Sequence, residues 1–85
     1  MITKDEEILL QRLGERIRQL RIEKGYTSQE TFAYDAEIPR AQYGRYEKGE
    51  NLTITSLYRI LKFHKLSFDD FFKDGFEDVY KKLRK

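Results

Sequence analysis

Leu10, Leu13, Ile17 and Leu20 recur at steps of three and four, with Leu9 widening the stripe. Residues so spaced stack on one face of an α-helix. Thr3 with Glu6 offers a capping box and Gly25 a stop, so the pattern predicts a helix over about 4–24. A short second helix follows, capped by Thr27 or Ser28, with Phe32, Ala33 and Ala36 as its inner edge. The third begins near Pro39, a residue favoured at a first helical position, and ends at Gly49. Thr53 opens a fourth, whose inner stripe reads Ile54, Leu57, Ile60 or Leu61, and His64. Ser67 with Asp70 makes another capping box, starting a fifth helix through Phe71 and Phe72. Beyond Gly75, Phe76, Val79, Tyr80 and Leu83 repeat at helical spacing. No stretch alternates as a strand does. The expected fold class is all-α: five helices in a domain over 1–72, then a short amphipathic basic tail over 73–85 with room for a sixth.

Length limits this chain to one small core. Its 85 residues bury about 60 to 65% of the unfolded surface. With no cysteine, disulfides and thiolate metal sites are absent, which fits a reducing compartment. No apolar run approaches the roughly 20 residues that cross a bilayer. Met1 to Glu7 is too acidic and polar for a secretion signal. A cytoplasmic location is the expectation, with no membrane partner.

Charge matters through its distribution. The net value is only +2 although 38% of residues are charged. Residues 25–38 carry Glu30, Asp35 and Glu37 and no basic residue, whereas residues 39–51 carry Arg40, Arg45 and Lys48 against Glu47 and Glu50. The last thirteen residues hold five basic and three acidic side chains. Any basic surface is local.

At 100° per residue, Tyr43, Tyr46, Glu47 and Glu50 share one face of the third helix, and Arg40, Ala41, Gly44, Arg45 and Lys48 share the other. Gly44 stands central on that outward face. A glycine within a helix costs about 1 kcal/mol relative to alanine, and a solvated surface gains nothing from it. A surface pressed against another molecule does gain, because the backbone approaches more closely. Ala41 is small too, and the flanking arginines suit guanine edges or phosphates in a groove. Drift on an ordinary solvated face is the plain alternative. Glu47, one turn from Tyr43 on the aromatic face, is expensive there unless paired, and Arg21 beside Ile17 and Leu20 is the candidate partner.

The segments "LGERIRQLRIEKG", "SQETFA", "IPRAQYGRYEKG" and "LYRILKFHKLSFDDFF", in this order over about residues 13–72, resemble the phage-repressor and Cro-like helix-turn-helix family, also called the XRE family. The resemblance implies a compact five-helix domain in which helices two and three, about residues 28–48, form the helix-turn-helix. It further implies a third helix in the major groove of double-stranded DNA, and a homodimer. By that resemblance Arg40, Ala41, Gly44 and Arg45 lie at base-contacting positions. Ser28, Gln29, Gln42 and Lys48 lie at phosphate-contacting ones, with Gln29 also bracing the recognition helix. Arg21 and Glu47 fall on the family's buried ion pair. Three features depart from the pattern: Glu37 replaces the usual turn glycine, "GYTSQ" is one residue longer, and "GENLT" is one shorter with Leu52 where proline is frequent. A side chain at a left-handed turn position costs about 1 kcal/mol, or else the turn is reshaped.

The remaining candidates are weaker. Lone His64 has neither cysteine nor second histidine beside it, so it reads as a packed or partly exposed core residue. Tyr43, Tyr46 and Tyr58 have core-facing spacing, which argues against stacking on single-stranded bases. The apolar tail positions suit a fold-back or a dimer seam, extended by Phe68, Phe71 and Phe72. The tail's Lys81, Lys82, Arg84 and Lys85 keep the end soluble or touch phosphate. No nucleophile–base pair, phosphate loop or metal cluster is present, so the reading is no enzyme and no cofactor. The expectation is a sequence-specific regulator on DNA, and the alternative a protein-interaction module, such as an antitoxin that binds a partner protein.

Overall fold

The computed structural model describes residues 2–50 and 52–83, the side chain of Lys82 excepted. Six helices run along the chain: α1 (Lys4–Glu23), α2 (Gln29–Asp35), α3 (Arg40–Glu47), α4 (Ile54–His64), α5 (Phe68–Lys73) and α6 (Glu77–Leu83), with no strand among the described residues. The fold is all-α and repressor-like, with an extra helix at the C-terminal end.

The starts of these helices are set locally. Thr3 and Glu6 form the reciprocal capping box of α1. The Ser28, Thr53 and Ser67 hydroxyls accept from backbone N–H groups of α2, α4 and α5. Pro39 departs from the expected first helical position. It is the N-cap of α3, with no side-chain cap bond, because its extended ψ of 134° carries the chain out of the preceding turn. Glu37 sits at φ 60°, so the left-handed position is retained and the side chain bears the strain. Lys65 closes α4 in the same conformation, at φ 59°.

The core gathers Ile17 and Leu20 of α1, Phe32 and Ala33 of α2, Tyr43 and Tyr46 of α3, Leu57, Ile60 and Leu61 of α4, and Phe71 of α5. Ile38 and Phe76 join it from outside the helices. Two expectations for α4 fail. Ile54 is 66% exposed and Tyr58 is 55% exposed: Ile54 shares the face of Leu57 and Leu61 but stands at the very start of α4, and Tyr58 lies at the edge of the buried Leu57–Ile60–Leu61 set. His64 is half-buried, stacked on Phe32 at 5.2 Å between ring centroids, and its Nε2 has no hydrogen-bond partner. Burial, then Lys24 and Arg16, push its pKa down to about 4, so the ring is neutral near pH 7.

The tail folds back. Phe76 is fully buried, the Tyr80 hydroxyl donates to the Phe72 carbonyl at 2.8 Å, and Arg12 of α1 reaches Asp78 at 2.8 Å. Arg16 donates from α1 to the carbonyls of Phe71 and Asp70, tying the end of α5 to the domain. Arg84, Lys85 and the Lys82 side chain lie outside the described residues.

Candidate nucleic-acid interface

Two glycines set how closely α3 approaches α1. A Cβ on Gly14 would lie 2.4 Å from the Glu47 carbonyl oxygen, and one on Gly49 would lie 2.2 Å from that of Leu10. The end of α3 therefore packs backbone to backbone on α1, which no larger residue allows.

This contact frames a buried polar cluster. Arg21 Nε donates to Glu47 Oε2 at 2.6 Å, and the two side chains are only 5% and 3% exposed. Arg21 also donates to the Tyr26 carbonyl at 2.8 Å, and Gln29 Nε2 donates to Glu47 Oε1 at 2.8 Å. A buried carboxylate needs partners of this kind, since taking it out of water costs several kcal/mol. Tyr43's hydroxyl lies beside the pair without hydrogen-bond geometry to either member, and burial followed by Glu47 pushes its pKa above the ordinary range. The structure thus brings Arg21, Glu47 and Gln29 together, one residue each from α1, α3 and α2.

Gln42 is held too. Its Nε2 bonds the Tyr46 hydroxyl, which donates onward to Ser56 Oγ at 2.9 Å. Gln42 is half-buried, and the Tyr46 hydroxyl it holds fastens α3 to α4. Ser28 Oγ is occupied as an acceptor by the backbone N–H groups of Glu30 and Thr31, which leaves its hydroxyl proton to donate elsewhere.

On the other side of α3, Arg40, Ala41, Arg45 and Lys48 are exposed. Gly44 is half-buried, not bare: a Cβ there would meet Gln29 Oε1 at 3.4 Å, an ordinary contact. Arg45 has no ion-pair partner among the described residues, whereas Arg40 NH1 lies 2.9 Å from Glu30 Oε2 of α2, both side chains 69% exposed. The sequence reading missed Glu30 in this role. Ten residues and a turn separate it from Arg40, so no local spacing signals the pair. Gly14 was missed as well, its only signal being a glycine inside an otherwise good helix.

The carboxylates here are largely spoken for. Residues 28–48 hold four acids against three cations. Glu47 is buried with Arg21, Glu30 is paired with Arg40, and Asp35 accepts from the Tyr26 hydroxyl at 2.6 Å. The free charge on the outer face of α3 is therefore positive, from Arg45 and Lys48.

An apolar groove of about 360 Å³ lies away from this face, lined by Ile8, Leu9, Phe72, Val79, Tyr80 and Leu83 among others and by no residue of α2 or α3. No described helix is long and apolar enough to cross a membrane. Among the described residues no group of three or more His, Cys, Asp or Glu side chains is placed to hold a metal ion.

A short helix, a left-handed turn and a second helix that packs on α1 and carries a solvated cationic face define a helix-turn-helix domain. A scan against family models matches residues 17–71 to a helix-turn-helix family (HTH_3), and the chain belongs to that family. The family's architecture supports a DNA-binding, regulatory role in general. Searches of curated proteins and of solved structures found no match.

Proposed function

We propose that this protein binds double-stranded DNA sequence-specifically as a small transcriptional regulator, with α3 in the major groove. The observation that carries the reading is the exposed cationic ridge of Arg40, Arg45 and Lys48 on a helix whose opposite side is locked to α1 and α4. A rigid backing places side chains in the groove with little entropy left to lose. In this reading Arg40 and Arg45 reach base edges, and Ala41 and Gly44 let the helix approach. Ser28, Gln29, Gln42 and Lys48 contact phosphate through their remaining donors. A homodimer joined along the groove between α1 and α6 would set half-sites about 34 Å apart.

Selection from a random duplex pool at physiological salt tests this. One or two related half-sites should be enriched, and affinity should fall steeply with salt as counterions are released. No enrichment, or a flat salt response, defeats the reading.

The near balance of charge in residues 28–48 and the apolar groove lined by Ile8, Leu9, Val79 and Leu83 favour a second reading, an interaction module that binds a partner protein in the manner of an antitoxin. Tight, salt-insensitive binding to a protein together with failure to enrich any duplex would select it.

A further inference from the structure

The Arg40–Glu30 pair is the feature of the cationic face that its role on DNA does not require. A carboxylate beside a helix that enters a groove lined with phosphates is unfavourable, and an uncompensated one would be expelled. Glu30 nevertheless sits on α2 with an oxygen 2.9 Å from Arg40 NH1. In water such an exposed pair contributes little and does not lock either side chain. Docking changes this, because water leaves the interface and the carboxylate must keep its cationic partner or meet a base donor. With NH1 held, the Nε–NH2 edge of Arg40 remains free, and that edge presents two parallel donors of the kind that match guanine O6 and N7.

We infer that Glu30 is a specificity-determining residue: it positions Arg40 for one base edge and keeps that arginine from settling on nearby phosphates. The inference rests on the DNA-binding reading above and deepens it. Glu30 acts through Arg40, so it is a positioning residue.

The test uses the whole chain and the duplex that the wild-type protein selects. Glu30→Ala should bind random DNA severalfold more tightly, with a salt slope steeper by about one, because Arg40 is released to phosphate. The ratio of specific to random affinity should fall roughly tenfold, since an oriented bidentate contact supplies discrimination of at least that size. A repeated selection should lose preference at one base pair of each half-site. Glu30→Gln keeps an acceptor for NH1 and should retain most of the preference. In an Arg40→Ala background, Glu30→Ala should leave discrimination unchanged. Circular dichroism and the thermal midpoint confirm that each variant is folded. The inference is overturned if Glu30→Ala keeps the wild-type base preference and affinity ratio, or if its full effect persists without Arg40. If the wild-type chain itself selects no sequence, the DNA reading falls and this inference with it. A wild-type selection unaltered by Glu30→Ala defeats the inference alone.

Discussion

The two sides of α3 are built on opposite terms. Its inner side is dry and over-determined: Tyr43 and Tyr46 are buried, Glu47 has two side-chain partners, and the backbone touches α1 where only glycine fits. Its outer side is wet and loosely held, with Arg45 unpaired among the described residues and Arg40 in one exposed ion pair. The difference separates two costs. Changes on the inner side act on folding, and changes on the outer side act on what the folded domain can hold.

The largest contrast should come from the buried pair. Glu47→Ala leaves the Arg21 guanidinium in the interior without its carboxylate and should cost about 3–5 kcal/mol in chemical denaturation. A loss near that of an exposed ion pair, under 1 kcal/mol, would mean that the inner side is not dry. The two glycines come next. Gly14→Ala forces backbone atoms apart and should cost on the order of 2–3 kcal/mol despite the better helix propensity of alanine. Gly44→Ala meets only an ordinary contact and should gain up to about 1 kcal/mol in stability while weakening DNA binding. Equal effects of the two on unfolding would erase the distinction between the sides.

On the outer side, Arg45→Ala should leave the unfolding midpoint unchanged and cost about 1–3 kcal/mol in binding to the selected duplex, with relaxed preference at one position. Titration of binding at fixed salt checks it. Acid acts from behind the helix. His64 carries a folded pKa of about 4 against about 6.5 for an unfolded histidine. The unfolded chain therefore binds more protons between these values, and stability that is full above pH 6.5 is lost as pH falls toward 4. The loss is on the order of 2 kcal/mol or less, because the ring is only half-buried and water screens part of the cost. Denaturation of His64→Leu across that range should show a shallower pH slope. The smallest effect belongs to the turn: Glu37→Gly removes a left-handed side chain and should add about 0.5–1 kcal/mol, less the entropy that glycine brings to the unfolded chain.

Much of the fold was legible from local chemistry. Thr3, Ser28, Thr53 and Ser67 cap helices that begin beside them, because a cap bonds N–H groups two or three residues away. The fourth helix shows where periodicity stops helping. Ile54 lies on the face of Leu57 and Leu61 but at the first residue of α4, and Tyr58 at the edge of that face, and both are left exposed. Amphipathicity says which residues could be buried, and packing decides which are. The Arg21–Glu47 juxtaposition was readable because a lone carboxylate on an aromatic face demands a partner, and Arg21 sits beside the matching stripe. Gln29 as its second partner, Tyr46 tied to Ser56, and Glu30 against Arg40 all join different helices. Such contacts depend on how the helices are set against one another, which spacing along one helix does not encode.

By itself the sequence determined the helices, their caps, the apolar seam that must close, and a third helix with aromatic and cationic sides. Those properties follow from interactions within about four residues and from the cost of leaving apolar surface in water. Only the tertiary structure decided which polar groups on that helix are already engaged and which remain free. That choice depends on side chains brought within 3 Å by packing from distant parts of the chain, at glycines where two backbones meet.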